Sequence, residues 1–236
     1  MKLVDELRAE HVLIEQVVGS LRSYSAARLA GEGDPADGAA FLRFFRLYSG
    51  AFHHGREEED LLPALVKHAE IRANSGPVIS ILLQHREMEK VLERMVPLLE
   101  GEPGTPVTVG TVGTVGTAGA VGAVAGSREL LDLATTYARS LWLHIDAENT
   151  VLLPESEERL RHSGVPDLSG CGATVEELAA RAEGERLVSA YPPKFDPGAV
   201  RGEGCAVCPS HGVTCEGVER EWWTDWEWEA FGRASE

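Results

Sequence analysis

His53-His54-Gly55-Arg56-Glu57-Glu58, followed by Leu61-Leu62-Pro63, is nearly restated as His144-Ile145-Asp146-Ala147-Glu148-Asn149, followed by Leu152-Leu153-Pro154. In each copy a histidine and a glutamate stand four residues apart. On a helix such a pair projects from one face, and Leu61 and Leu152 continue that face one turn later. The repeat therefore predicts two inward-looking pairs of metal-ligating side chains.

The flanking sequence supplies the helices. Leu3, Leu7, Val12, Leu13, Ile14, Val17, Val18 and Leu21 recur at helical spacing over residues 3 to 28. GEGDPADG at 31–38 closes that helix, and Phe41, Leu42, Phe44, Phe45, Leu47, Tyr48 and Phe52 open a second apolar face that runs to Leu65. Beyond Ser75-Gly76-Pro77, a third helix carries Ile81, Leu82, Met88, Leu92 and Met95. The uncharged, Gly-rich stretch 105–126 reads as a flexible insertion. A fourth helix follows from about Arg128, with Leu130, Leu131, Leu133, Leu141, Leu143, Leu152 and Leu153 and a bend expected at Pro154. Four amphipathic segments in succession predict an all-α, up-down four-helix bundle over residues 1–164, because each stripe needs a neighbour to cover it.

A short helix is expected at 174–182 in the extension 165–236, which ends in a Pro- and Gly-rich stretch, a cysteine cluster and Trp222, Trp223, Trp226 and Trp228. Cys205, Cys208, His211 and Cys215 have the donor chemistry of a structural zinc site in a small irregular domain. Cys171 in place of His211, a disulfide, an iron-sulfur cluster or no metal at all are the other readings.

Composition narrows the function classes. With 22 Lys and Arg against 38 Asp and Glu, the formal charge of -16 argues against nucleic acid or an anionic membrane as partner. The early charges in MKLVDELRAE do not read as a signal peptide, and no stretch reads as a membrane span, so a cytoplasmic protein with reduced thiols is expected.

His11 follows Leu7 on the apolar side of the first helix, and His85 has Ile81, Leu82 and Met88 around it on the third. Each half of the chain thus offers a lone His and then His-x-x-x-Glu. Nitrogen and carboxylate donors on opposed helices suit Fe, Mn or Zn and can build a dinuclear site in which Glu57 and Glu148 bridge. The intervals from His11 to His53 and from His85 to His144 differ chiefly because the second contains the 105–126 insertion.

In these motifs, residues 3 to 160 resemble the hemerythrin-like, HHE cation-binding family. The resemblance implies a non-haem di-iron centre with His11, His53, Glu57, His85, His144 and Glu148 as ligands, and with Mn or a mixed Fe/Mn pair as alternatives. Glu89, one turn past His85, stands near where the oxygen carriers of this family have a further histidine, and is a candidate seventh ligand. His54 and Glu58 are expected at the mouth of the site or behind the ligands, with Glu15 also behind them. His68 and His162 are expected at helix ends, and Tyr48 and Tyr137 in packing. Such a centre handles O2, H2O2 or NO. A catalase-like peroxide disproportionation is the leading expectation, with Glu58 and Glu89 as proton shuttles. A gas or iron sensor, or a di-iron protein of iron-sulfur cluster repair, is the alternative.

Overall fold

The computed structural model describes residues 1–74, 76–101 and 118–195, the side chains of 118–123 excepted. Helix α1 spans Lys2–Ala30. The second bundle helix is a continuous rod built from α2 (Asp37–Arg43), two wide π-helical stretches, π1 (Phe44–His54) and π2 (Glu57–Leu61), and α3 (Leu62–His68). Helix α4 covers Gly76–Glu100. The fourth rod joins α5 (Ala118–Ala147), π3 (Glu148–Leu152) and α6 (Leu153–His162). Helix α7 (Val175–Ala190) follows. Helix α5 packs along α1 and α4, α2 lies against α4, and π1 touches α1, which closes the four-helix bundle. No helix among the described residues is long and apolar enough to cross a membrane.

The apolar stripes bury as two clusters at different heights. One collects Ile14, Val17, Phe44, Phe52, Met88, Leu141 and Ile145, and the other Leu3, Leu7, Leu61, Leu65, Ile81, Leu152 and Leu160. On every bundle helix the site residues fall between the two: His11 between Leu7 and Ile14, His85 between Ile81 and Met88. A polar layer thus crosses the middle of an otherwise apolar bundle. Val12 departs from the expected stripe and is exposed.

Two boundaries differ from the sequence expectation. Helix α5 begins at Ala118, inside the stretch expected to be a flexible insertion. Its segment AGAVGAVAG interleaves Ala with Gly, and the best helix former offsets the cost of the glycines where a long helix can propagate into it. The remaining part of that insertion lies outside the described residues.

The 174–182 helix runs on to Ala190. Its start is encoded locally: the Thr174 hydroxyl accepts from the Glu177 N–H, and the Glu177 carboxylate accepts from the Thr174 N–H. Its length depends on packing. Helix α7 lies over α1, α2 and π1, with Ala180 and Leu187 fully buried in the first apolar cluster. A Cβ on Gly184 would stand 2.5 Å from the Phe44 ring, so the residue that looks like a helix breaker is what permits the close approach. Gly184→Ala is accordingly expected to destabilise the fold by about 1–3 kcal/mol, although alanine favours helix elsewhere. Gly172→Ala, with nothing within 4 Å, is expected to be neutral. Urea unfolding midpoints of the two variants check this.

Candidate metal centre

The two copies of the opening motif end in the same local device. Pro63 and Pro154 lack an N–H, and their rings crowd the carbonyl four residues back. The turn ahead of each proline widens: the Leu62 N–H donates to the Glu57 carbonyl, and the Leu153 N–H to that of Glu148, both five residues back. Both wide turns therefore start on a predicted bridging glutamate. The bend expected at Pro154 is a widened turn in an unbroken rod, and Pro63 produces its counterpart.

Two groups of donors face one another in the bundle centre. His11, His53, Glu57 and Glu148 form one, and His54, Glu57, His85 and His144 the other, the donor atoms of each lying within 4.8 Å of one another. Both glutamates are fully buried and reach across the groups. Glu57 Oε1 is 3.7 Å from His53 Nε2, and its Oε2 is 3.4 Å from His85 Nε2. Glu148 Oε2 is 3.2 Å from His11 Nε2, and its Oε1 is 3.1 Å from His144 Nε2.

Outer partners determine what these rings present to the interior. His53 Nδ1 lies 2.8 Å from Glu10 Oε2, His85 Nδ1 2.7 Å from Glu58 Oε1, His11 Nδ1 2.9 Å from Asn149 Oδ1 and His144 Nδ1 2.8 Å from Gln84 Oε1. Carboxylate and amide oxygens accept, so all four rings donate through Nδ1 and, when neutral, turn an Nε2 lone pair inward. His85 Nε2 and His144 Nε2 are then 3.1 Å apart with no donor between them. The Nε2 atoms of His11 and His54 and all four oxygens of Glu57 and Glu148 are buried without a hydrogen-bond partner. Such a convergence of acceptors in a dry interior suits cations, and its nitrogen and oxygen donors fit divalent first-row metals.

Electrostatics in the metal-free chain carry the same signature. Burial drives His53, His54 and His144 well below the ordinary imidazole range, which favours neutral, ligating rings. Burial, with Glu148 alongside, pushes the Glu57 carboxyl up. His85 goes the other way: burial alone would lower it, but the facing Glu57 carboxylate and the hydrogen-bonded Glu58 raise it to about 9. His11 is also raised, Glu148 and Asn149 outweighing its burial.

All six predicted ligands, His11, His53, Glu57, His85, His144 and Glu148, are brought together. His54 joins them, its ring stacked on His85 with centroids 3.9 Å apart and planes 11° from parallel. An α-helical wheel turns His54 away from His53. The π-helical stretch that ends at His54 needs more residues per turn, so adjacent side chains diverge by a smaller angle.

Glu89 is exposed and belongs to neither group. The buried positions of α4 include Ile81, His85, Met88, Leu92 and Met95, a stripe that leaves Glu89 on the solvent side. Glu58 stays at the rim, its side chain 39% exposed, where the hydrogen bond from His85 holds its carboxyl below the usual range. Glu15 lies outside both groups, and its backbone carbonyl accepts from Trp142 Nε1. His68 and His162 are exposed at helix ends, while Tyr48 and Tyr137 pack on Phe44, Phe52 and Phe45. Cys205, Cys208, His211, Cys215 and the four C-terminal tryptophans lie outside the described residues. The roles of Glu10, Gln84 and Asn149 had no local sequence signal, because each acts on a ring from another helix.

Residues 2–156, well over half of the chain, match the family described as the Hemerythrin HHE cation binding domain. The chain belongs to this family, and the paired His/Glu groups are consistent with a hemerythrin-type metal-binding site. No curated protein and no solved structure matches it.

The wide turns make a test of their own. Pro63→Ala restores a donor and relieves the ring clash, and is expected to leave the melting temperature of the metal-free chain unchanged or higher. The same change contracts the turn carrying Glu57, so metal affinity is expected to fall. Thermal melts beside chelator competition separate the two effects.

Proposed function

We propose that this chain is a non-haem di-iron protein that disproportionates hydrogen peroxide, two H2O2 yielding two H2O and O2. The carrying observation is that two donor groups of near-equal make-up share Glu57 and are spanned again by Glu148. His11, His53 and the two glutamates would hold one iron, and His54, His85, His144 and the glutamates the other. When bound, the metal pair supplies electron exchange with O2 or peroxide, which no side chain provides.

The chain's own residues perform the remaining tasks. Burial keeps most of the imidazoles neutral and their Nε2 lone pairs directed inward. The apolar clusters above and below exclude water from the layer. Among the described residues Glu58 is the ionisable ring partner most open to solvent, so its Oε1, accepting from His85 Nδ1, is the proposed station for protons entering or leaving. Glu89, on the outer face of α4, has no part in this relay.

Protein loaded with iron, or reconstituted with manganese, is expected to evolve O2 from peroxide well above a free-metal control, with two metals per chain. Absence of turnover in both forms would sink the peroxide reading. Loading is also expected to raise the melting temperature, since a ligand bound only by the folded state at 100 times its dissociation constant stabilises by about 2.7 kcal/mol. His53→Ala or Glu57→Ala is expected to abolish metal retention, and His68→Ala to leave it intact.

A gas or iron sensor is the second reading, favoured by the way Gly170 and Cys171 lie against the second rod, which carries His53, His54 and Glu57. Reversible O2 or NO binding without multiple turnover, together with altered protease protection of the extension, would select it.

A further inference from the structure

Arg56 lies between the donors His54 and Glu57 in sequence and belongs to neither donor group. Its side chain is 3% exposed. The guanidinium donates to Glu10 and to Glu6, both on α1, and its Cζ sits 5.0 Å from the Phe52 ring centroid. The second oxygen of Glu10 is the one that takes the Nδ1–H of His53, at 2.8 Å. A chain of direct contacts therefore runs from Arg56 through Glu10 to a ring of the first donor group. The partners of His11 and His144, by contrast, are neutral amides.

The far side of Arg56 is closed by the segment after the bundle. Lys2 N–H donates to Asp167, Leu3 N–H to the Leu168 carbonyl at 2.9 Å, and Cys171 N–H to Asp60 Oδ2 at 3.1 Å. These bonds press Gly170 onto the network: a Cβ there would stand 2.7 Å from Arg56 Nε, 2.9 Å from Asp60 Oδ2 and 2.9 Å from Leu3 Cδ1. Only a residue without a side chain fits while Arg56 keeps its place.

We propose that Arg56 is a positioning residue that fixes the His53 side of the centre through Glu10, and that the 167–171 strap holds Arg56 in register. The proposal rests on the metal-pair reading. A planar guanidinium fork can engage two carboxylates of α1 while stacked on an aromatic face, which a lysine ammonium cannot reproduce. With Arg56 displaced, Glu10 loses its anchor and His53 its fixed orientation, the kind of outer contact whose loss costs about 10–100-fold in metal affinity. The strap thereby links the extension beyond the bundle to one half of the metal centre.

The test uses the full chain and ferrous iron alone, with anaerobic chelator competition and Mössbauer spectra of the loaded protein. Arg56→Gln and Arg56→Lys are expected to weaken one of two irons by about 10–100-fold and to change its quadrupole doublet, the other remaining as in wild type. Gly170→Ala, which keeps every charge, is expected to shift the same doublet with a smaller loss. Arg43→Gln, which breaks an exposed pair with Glu183, is expected to change neither readout. Should Arg56→Gln fail to fold, Arg56→Lys and Gly170→Ala decide. Folded variants that hold both irons as tightly as wild type, with unchanged spectra, overturn the proposal. A wild-type chain that binds no iron pair overturns the metal reading itself and this proposal with it.

Discussion

The rest of the structure depends on a layer of converging lone pairs in the dry centre of the bundle. Two buried carboxylates and five imidazoles meet there with few donors among them, at a depth where an unmatched polar atom costs several kcal/mol. An apolar bundle of this size has no folding reason to retain such a layer. Cations supply one, because they turn mutual repulsion into shared attraction. The two apolar clusters on either side bury the helix faces that clamp the layer, and the amide and carboxylate partners behind the rings set each Nε2 inward.

Helix geometry does the fine placement. A regular α-helix presents residues four apart on one face, which suffices for His53 with Glu57 and His144 with Glu148. It does not place His54 beside His53. The π-helical stretches do, and the two shorter ones are tied to a Leu-Leu-Pro ending whose proline displaces the hydrogen bonding one residue outward. Pro63 and Pro154 thus act on chemistry six residues upstream without touching it.

The extension beyond the bundle is less separate than its composition implies. Helix α7 contributes to the first apolar cluster, and the strap before it closes over Arg56. Gly184 against Phe44 and Gly170 against Arg56 are contact points where backbone meets a large side chain. A buried ion pair of this kind is poor evidence for stability, since its desolvation offsets its attraction. Its location behind His53 accords better with orientation than with strength.

The sequence by itself determined the four amphipathic rods, the paired His-x-x-x-Glu faces, His11 and His85, and a helix starting near Thr174. All of these follow from periodicities of three and four residues and from local hydrogen bonding, which a single segment expresses without knowledge of its neighbours. Only the tertiary structure decided that His54 belongs among the donors, that Glu89 faces solvent, that Glu10, Gln84, Asn149 and Glu58 orient the rings, and that α7 and the strap seal the bundle. The physical reason is common to these cases. Each depends on a local departure from α-helical pitch, on which side of a helix faces its neighbours, or on contacts between side chains tens of residues apart, and these are settled only when the helices pack.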